Sequence, residues 1–547
     1  MLNGNPVVVG EPTEIEIKLW VSSEDIVTLQ SHPHFAGAFR DPTSETLKSV
    51  YFDSDSRFLR DHGFTLRVRH SGDKRIQTVK AANNGAGYFE RSEWEQMIEG
   101  DQPDLTLVKD TALGAILTNE ADRTLKPVFD IRIKRTAYHL NGNGTDVVMA
   151  IDQGKIVATG SSLPVSEIEL ELKRGNPSDL FKIARDIINI IPAHLDFRSK
   201  SERGYDLIEK SAITVETARD PELSPGMTAG RAFTLVGRAC LRHLVANVPA
   251  MMGRDGNALH QMRVALRRLR AAIVLFSAVV DDDRAGAIKT ELRWLAQEFG
   301  PARNLDTLLV EVIRPLRKQH ANEPGLVSIS NMFARKRLKS YRHAQEAVQS
   351  ARFRALILDA TEWVETGPWS TSENALTRAR RELPVEIYAA LQLSQRRKKI
   401  RRRGARIDSL NPQQLHGLRI QVKKVRYAIE FFSGLFHGKK SAKRYKTIKS
   451  SLTQLQNSLG KINDIVTHKA LFADIIASPM RGLTGEQNHH RAFAAGLIIG
   501  DQQAQVTKLL DRARKAYSRF DGGKAFWKLP IRNSTAQASA GLESVEN

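Results

Sequence analysis

The sequence is poor in the residues that define several common protein classes. Cys240 is the only cysteine among 547 residues, so disulfides within the chain and cysteine-built metal sites are excluded, and any metal site must use Asp, Glu or His. The longest apolar run, Ala271–Val280, is too short to cross a bilayer. The N-terminal segment lacks the basic and apolar regions of a secretory signal. We therefore expect a cytoplasmic protein with no membrane partner.

Aromatic residues are also scarce, at 7% of the chain. Proteins that bind single-stranded nucleic acid commonly stack bases on aromatic side chains. The basic stretches described below have no aromatic residues interleaved among their cations, so nucleic acid is not the expected partner, although the net charge would allow it. Hydrophobic residues make up 41% of the sequence, which is enough for folded cores and excludes a wholly disordered chain.

Charge is abundant and unevenly distributed. The net charge is +21. Residues 1–210 carry a net −6, whereas residues 211–547 carry a net +27. Such asymmetry predicts two domains with different roles. The basic half should attract polyanions, of which nucleic acid, anionic lipid and polyphosphate are the candidates.

The two halves also differ in their predicted secondary structure. Segments of alternating polarity, separated by turn residues, predict strands in the first half, with helices at Glu24–His32 and Asp179–Ile191. Residues 211–226 contain two prolines and no periodicity, which indicates a domain boundary. Apolar residues at three- and four-residue spacing then predict helices almost throughout. The six predicted strands are Glu14–Trp20, Leu66–Arg69, Ile76–Lys80, Phe129–Lys134, Val147–Asp152 and Glu167–Lys173.

Charged residues two positions apart share one face of several predicted strands. Two strands are rich in carboxylates, and at least three are rich in Lys/Arg. Each charged face could simply be solvated. If the sheet curls into a barrel, the same faces line its lumen, where a divalent cation and a polyphosphate would suit the mixed charge. The acidic residues are Glu14, Glu16, Glu167, Glu169 and Glu171, and the pairs are Arg67 with Arg69, Thr78 with Lys80, and Arg132 with Lys134.

These strands carry an ordered set of motifs that resembles the CYTH, or triphosphate tunnel metalloenzyme, superfamily. The set opens with Glu14-Ile15-Glu16-Ile17-Lys18 and covers about residues 12–207. Its later members are Tyr51-Phe52-Asp53, Gly63 with Leu66–Arg69, Thr78–Lys80, Arg91-Ser92-Glu93, Arg132–Arg135, Ile151-Asp152, Glu167–Glu169 and Ser199–Tyr205.

The resemblance implies an eight-stranded antiparallel tunnel that hydrolyses triphosphates with Mg²⁺ or Mn²⁺. It implies metal ligands at Glu14, Glu16, Asp152, Glu167 and Glu169. It implies phosphate ligands at Lys18, Arg67, Arg69, Lys80, Arg135 and Lys200, with Arg132 as a further candidate. Lys18, Arg67 and Arg69 would stabilise charge on the transferring group, and Glu169 is a candidate to orient the attacking water. The general base is not identified, and Glu171 is a weaker candidate.

The basic half contains one pattern twice, H-x-x-R-x-x-x-[RK]-[RK]-x-R. Offsets 0, +3, +7 and +10 fall on one stripe of a helix, and neither stripe contains an acid, which indicates an anion bound across them. A solvated basic face is the alternative, and the repetition weakens it. The histidines could be caps or phosphate donors. The first copy is His260, Arg263, Arg267, Arg268 and Arg270, and the second is His416, Arg419, Lys423, Lys424 and Arg426.

These repeats resemble the CHAD, or conserved histidine α-helical, domain over about residues 225–520. The resemblance implies two pseudo-symmetric four-helix bundles and a basic pore that binds inorganic polyphosphate through the ten repeat residues, with Arg303 as a weaker addition. The predicted organisation is a CYTH domain at 12–207, a linker at 208–226, a CHAD domain at 227–525 (repeats about 227–385 and 386–525) and a disordered tail at 531–547.

Several functions remain open at this stage. The first hypothesis is an inorganic triphosphatase whose basic domain binds polyphosphate. The alternatives are a non-catalytic polyphosphate-binding protein, at polyphosphate granules for example, and a tunnel that acts on thiamine triphosphate or a nucleotide. A separate basic run, Arg396–Arg406, could contact nucleic acid or polyphosphate, or could be a solvated loop.

Overall fold

The computed structural model describes most of the chain. The described residues are 13–35, 42–81, 90–109, 111–117, 124–142, 144–158, 160–209, 215–477 and 482–527. The predicted tail at 531–547 lies outside them. Contacts divide the chain into two compact units: the first comprises 1–216, 241–250 and 348–366, and the second comprises 217–240, 251–347 and 367–547.

An antiparallel sheet forms most of the first unit. Eight long strands pair in the order β5-β4-β3-β2-β6-β7-β8-β1, and β1 also pairs with β5, which closes the sheet into a barrel. A two-residue strand, β9, pairs with β1. The strands are β1 Thr13–Trp20, β2 Thr43–Asp53, β3 Phe64–Ser71, β4 Lys74–Ala81, β5 Glu90–Ile98, β6 Lys126–Gly142, β7 Thr145–Ala158, β8 Ser161–Arg174 and β9 His194–Leu195.

Each predicted strand lies within an observed one, and the sequence analysis missed β2 and β5. Three helices of the first unit begin with capping boxes, in which a side chain at the N-cap and one at N3 bond to each other's backbone N–H groups. The capping pairs are Ser22 with Asp25, Asn176 with Asp179, and Ser199 with Glu202. The helices are α1 Ser23–Ser31, α2 Phe58–Asp61, α3 Pro177–Ile190 and α4 Lys200–Ile208.

Parts of the barrel strands are buried on both faces, as at Met149–Asp152 of β7. On the outside, helix α3 packs against β1 and β8. Part of the interior is filled by an apolar cluster that includes Phe129, Ile131 and Ile133 of β6 and Tyr205 of α4. Because side chains alternate along a strand, Arg135 lies on the same face of β6 as that cluster. The remaining interior can therefore hold charged side chains.

The rest of the described chain is helical. The predicted order, an antiparallel sheet followed by a helical domain, is confirmed. Among the described residues, none of the helices combines the length and hydropathy needed to cross a bilayer. The helices are α5 Ala229–Ala246, α6 Val248–Met252, α7 Gly256–Leu275, α8 Asp283–Glu298, α9 Gly300–Thr307, a π-helical turn Leu308–Ile313, α10 Arg314–Gln319, α11 Pro324–Gln349, α12 Ala351–Thr366, α13 Ala375–Glu382, α14 Val385–Gly404, α15 Pro412–Phe431, α16 Lys439–Ala477, α17 Gly485–Ala504 and α18 Val506–Gly522, with single 3₁₀ turns at Pro368–Ser370, Ile407–Ser409 and Ser433–Leu435.

Candidate active site and polyanion-binding surface

Three carboxylates meet inside the barrel, and strand register brings them together. Asp152 of β7 lies directly opposite Glu167 of β8, and Glu169 follows two residues later on the same face. One carboxylate oxygen from each lies within 4.8 Å of the others. Asp152 and Glu167 are almost fully buried. We call these three residues the acidic triad.

Two cations neutralise the triad from different elements. Arg135 of β6 donates two hydrogen bonds of 2.7 Å to Asp152 and one of 2.5 Å to Glu169. Lys200, the first residue of α4, places its Nζ 2.6 Å from Asp152 Oδ2 and 2.9 Å from Glu169 Oε1, and it also contacts Glu167 Oε1. The triad is therefore a compact charged network and not a set of solvated acids.

The network keeps Glu169 and Asp152 ionised. Burial alone would raise the pKa of Glu169, but the positive charges of Lys200, Lys18 and Arg135 lower this pKa well below its usual range. The pKa of Asp152 is also lowered, because Lys200 and Arg135 outweigh the effect of burial. Ionised oxygen donors are the ligands that Mg²⁺ and Mn²⁺ prefer, so the triad fits a hard divalent cation.

A second group of charges lies along β3, β4 and β5. Glu93 of β5 forms ion pairs with Arg67, at 3.4 Å, and with Lys80, at 2.8 Å. Arg69 has no ion pair among the described residues, and repulsion from Arg67 together with burial lowers its pKa to about 10. Repulsion from Arg135 lowers the pKa of Arg69 further, so Arg69 is close enough to interact with a cation that binds the triad. An unpaired buried cation at this place favours an anionic ligand.

In the second unit, the two basic stripes face each other. Arg267 of α7 donates to the Tyr427 hydroxyl of α15 at 3.2 Å. Burial, and then repulsion from Arg419 and Arg267, lowers the pKa of Lys423 to about 8. The cations of the two helices are thus close enough that they repel one another and make protonation of Lys423 less favourable.

Comparisons with known proteins match both units. Residues 12–205 match the model of the CYTH domain, and residues 236–473 match the model of the CHAD domain. The chain carries a CYTH domain followed by a CHAD domain. An inorganic triphosphatase from Haemophilus influenzae is 31% identical over 211 residues, which are 37% of this chain and 56% of that relative. The chain therefore spans little more than half the length of this curated relative.

Solved structures overlap each domain in part. The CHAD domain from the plant Ricinus communis is 27% identical, covering 56% of this chain and 96% of that chain, with a TM-score of 0.46. A Hippeastrum protein, described as an adenylyl cyclase candidate with a dominant triphosphatase activity, is 16% identical. It covers 35% of this chain and 95% of its own, with a TM-score of 0.28.

Several other predicted residues of the CYTH domain lie close to the acidic triad. Lys18 is paired in register with Glu169, and its Nζ lies 3.5 Å from a Glu169 oxygen and 2.5 Å from Glu16. Glu16 is buried beside the triad and is bound by Lys18. Glu14 lies in β1, paired in register with Arg91, but its side chain lies outside the described residues.

Two other candidates of the CYTH domain form ion pairs with residues outside this cluster. The Arg132 side chain is 53% exposed and pairs with Asp130 at 2.7 Å, on the face of β6 opposite to Arg135. Glu171 contacts Lys173, near the end of β8. Arg132 and Arg135 are three positions apart in β6, and side chains an odd number of positions apart on a strand lie on opposite faces of the sheet.

The CYTH interior also contains three residues that contact predicted site residues and were not themselves predicted. Glu93 binds two predicted phosphate ligands, Arg67 and Lys80. Arg203 is buried and contacts Glu167. Tyr51 is hydrogen-bonded to Arg67. Burial raises the pKa of the Tyr51 hydroxyl, but this hydrogen bond and the charges of Arg67, Lys80 and Arg69 together lower it. All three residues lie within the sequence motifs that resemble the CYTH superfamily. Their place in these motifs is the sequence signal that could have identified them.

Most residues of the CHAD stripes fall into two groups. The first group has no ion pair among the described residues, and its positive charges repel one another. Burial, followed by repulsion from Arg303, Arg267 and Arg263, lowers the pKa of His260 to about 4. Burial and repulsion from Arg267 and Arg303 lower the pKa of Arg263 to about 10. We call this group the unpaired stripe, and it comprises His260, Arg263, Arg267, Arg303, Arg419 and Lys423.

The second group is tied to acids of the same unit. Arg268 is buried, 3.2 Å from Asp220 and 3.4 Å from Glu430. Arg426 pairs with the same Glu430 at 2.6 Å and donates to Gln456 at 2.8 Å. These contacts give Arg268 and Arg426 a structural role that the repeat pattern did not reveal.

The remaining predicted residues have other neighbours. The pKa of Arg270 is lowered by burial and by Arg293, and that of Lys424 by burial, Arg396 and Lys399. His416 Nδ1 lies 2.5 Å from Asn463 Oδ1. The basic run Arg396–Arg406 is helical as far as Gly404, so a solvated loop, one of the two alternatives for this run, is not what the structure contains.

Proposed function

We propose that the CYTH domain hydrolyses inorganic triphosphate with Mg²⁺ or Mn²⁺, and that the CHAD domain binds inorganic polyphosphate. One observation carries the first part: a buried acidic triad lies in the same lumen as Arg69, a cation without an ion pair among the described residues. A carboxylate site for a divalent cation beside cations for phosphate oxygens is the arrangement that phosphoryl transfer requires. The triphosphatase relative supports the same assignment.

The chain's own residues would bind and orient the substrate. Asp152, Glu167 and Glu169 would hold the divalent cation, which when bound would polarise a phosphoryl oxygen or a water molecule. Arg67 and Arg69 would bind the phosphate chain and stabilise the negative charge that develops on it. Because its pKa is low, Glu169 is ionised near neutral pH and can accept a hydrogen bond from the attacking water.

The unpaired stripe supports the second part. Its members repel one another without a bound anion, and a polyphosphate chain would relieve that repulsion at several positions at once. Among the described residues, Asp464 is the acid whose charge offsets the repulsion at Arg419 and Lys423. Location in the cytoplasm, at polyphosphate granules for example, stays a prediction.

The direct test is phosphate release from tripolyphosphate by the purified full-length protein, with Mg²⁺, with Mn²⁺ and with EDTA. We expect metal-dependent turnover that exceeds turnover of pyrophosphate, ATP, thiamine triphosphate and long-chain polyphosphate. Glu167→Gln and Glu169→Gln should each lower kcat by at least about 100-fold, because each removes a charged ligand. Glu171→Gln, on the same strand, is the matched control and should lower kcat less than threefold.

Other outcomes would revise the proposal in defined ways. Faster turnover of thiamine triphosphate or ATP would assign the lumen to an organic triphosphate. No turnover with either metal, while polyphosphate still binds, would leave a non-catalytic polyphosphate-binding protein.

A further inference from the structure

Lys200 occupies the point on which the acidic triad converges. Its ammonium lies 2.6 Å from Asp152 Oδ2 and 2.9 Å from Glu169 Oε1, and it contacts Glu167 Oε1. These are oxygens from the same three residues that could hold a metal ion. Oxygen ligands bind Mg²⁺ at about 2.0–2.1 Å. An ion on these oxygens would overlap the ammonium, so the two cations compete for one place.

Arginines fix the other side of the triad. Arg135 bonds both oxygens of Asp152 and Oε2 of Glu169, and Arg203 contacts Oε2 of Glu167. A guanidinium is a rigid fork, whereas a lysine ammonium is a point charge on a flexible four-carbon stem. Lys18 is also a lysine, but its ammonium lies farther from Glu169, at 3.5 Å. Lys200 is therefore the flexible cation that contacts all three carboxylates and can leave while the arginines still hold them.

We propose that Lys200 is a displaceable counterion that must leave the acidic triad before a divalent cation binds, and that its released ammonium then binds the triphosphate. This inference rests on the proposed function. It adds that the divalent cation and the triphosphate affect each other's binding. A metal ion that binds without triphosphate must break three ion pairs of Lys200, and this cost weakens its binding. The triphosphate gives Lys200 new partners, so each ligand favours binding of the other.

Binding measurements on the full-length protein test this coupling without reference to turnover. Mn²⁺ affinity is measured from the electron paramagnetic resonance signal of free Mn²⁺, in the absence of phosphate. Tripolyphosphate affinity is measured by calorimetry in EDTA. The variants are Lys200→Met, Lys200→Gln, which keeps a hydrogen-bond donor should the Met variant fold poorly, and Lys155→Met. Lys155 is an exposed lysine on β7 and is the matched control for loss of one positive charge.

We expect substitution of Lys200 to change the affinities for Mn²⁺ and for tripolyphosphate in opposite directions. Lys200→Met and Lys200→Gln should bind Mn²⁺ at least tenfold more tightly than the unsubstituted protein, and tripolyphosphate at least tenfold more weakly. Lys155→Met should change neither by more than twofold. A merely structural role for Lys200 would weaken both ligands together, which would overturn the proposal.

The same data separate this inference from the proposed function. Mn²⁺ bound equally by the unsubstituted protein and by both Lys200 variants would overturn displacement and leave the metal site intact. No Mn²⁺ binding by any of the proteins, nor by the unsubstituted protein with tripolyphosphate added, would overturn the metal-dependent function itself.

Discussion

At the scale of single residues, the neighbours of a charge decide its role. Arg268 and Lys423 belong to the same repeated pattern, yet Arg268 is bound to Asp220 and Glu430 whereas Lys423 is surrounded mainly by cations. A bound arginine keeps its charge at any ordinary pH, whereas a crowded lysine gives up its proton more easily. The pattern could identify the cations, but it could not identify which ones are neutralised.

Lys423 should make polyphosphate binding depend on pH. Its pKa is about 8, so its ammonium loses its proton in the protein without ligand as the pH rises from 7 to 9, and one favourable charge is lost. We expect polyphosphate affinity to fall about three- to tenfold over this range, since a shift of one pKa unit corresponds to a tenfold change in an equilibrium constant. Fluorescence anisotropy with labelled polyphosphate at constant ionic strength measures the change.

The control for this prediction is Lys423→Arg, whose guanidinium stays protonated over the same range. Its polyphosphate affinity should be nearly constant from pH 7 to pH 9. An equally steep pH dependence in this variant would show that another group titrates.

At the scale of elements, a close approach between α4 and β6 positions Lys200. A Cβ built on Gly204 would lie 2.3 Å from the Phe129 ring, so only glycine allows the helix to pack this closely. Tyr205, the next residue, packs edge-on against the same ring and donates to the buried Asp53 at 2.8 Å, which gives the helix a second attachment. The Ser199–Glu202 capping box then begins the helix one residue before Lys200.

Gly204→Ala should therefore destabilise the first unit. The added methyl group forces a shift of either the ring or the helix, and such overpacking costs about 1–3 kcal/mol. The shift should also move Lys200, so tripolyphosphate affinity should fall with stability. Thermal unfolding followed by calorimetry, together with the binding assay in EDTA, measures both effects.

Gly142→Ala is the matched substitution at an open position, because nothing lies within 4 Å of a Cβ built there. It should change the melting temperature little. A Gly204→Ala protein that is as stable as Gly142→Ala would contradict the packing argument.

At the scale of the whole molecule, the uneven charge predicts two separable activities. The proposed hydrolytic residues lie in the acidic half and the unpaired stripe lies in the basic half. We expect Glu169→Gln to abolish triphosphate hydrolysis while polyphosphate affinity stays within twofold. We expect Arg267→Glu to weaken polyphosphate binding at least tenfold while hydrolysis of tripolyphosphate is retained. The two assays on the two variants give the comparison.

A second charge reversal distinguishes a specific surface from general attraction. Arg402 is exposed on α14 in the basic run Arg396–Arg406, and Arg402→Glu changes the net charge by the same amount as Arg267→Glu. If the unpaired stripe is the binding surface, Arg402→Glu should weaken polyphosphate binding less than threefold at 0.15 M salt. Equal losses in the two variants would refute a specific role for the stripe.

The sequence by itself determined the two domains, most of the barrel strands and most members of the charged sites. Strand alternation and helical spacing are local and periodic, so they can be recognised in Glu167 and Glu169 or in Arg263 and Arg267 without coordinates. The missed strand β5 shows the limit of this approach, since its Glu93 was recognised only as part of a motif.

Only the tertiary structure decided which charges meet. Pairing between distant strands places Asp152 opposite Glu167, and the docking of α4 brings Lys200 onto both. Contacts likewise assign residues 348–366 to the first unit, far along the chain from the barrel. Ion pairing and the pKa depend on distances of a few ångströms between residues remote in sequence, and these distances exist only once the chain has folded.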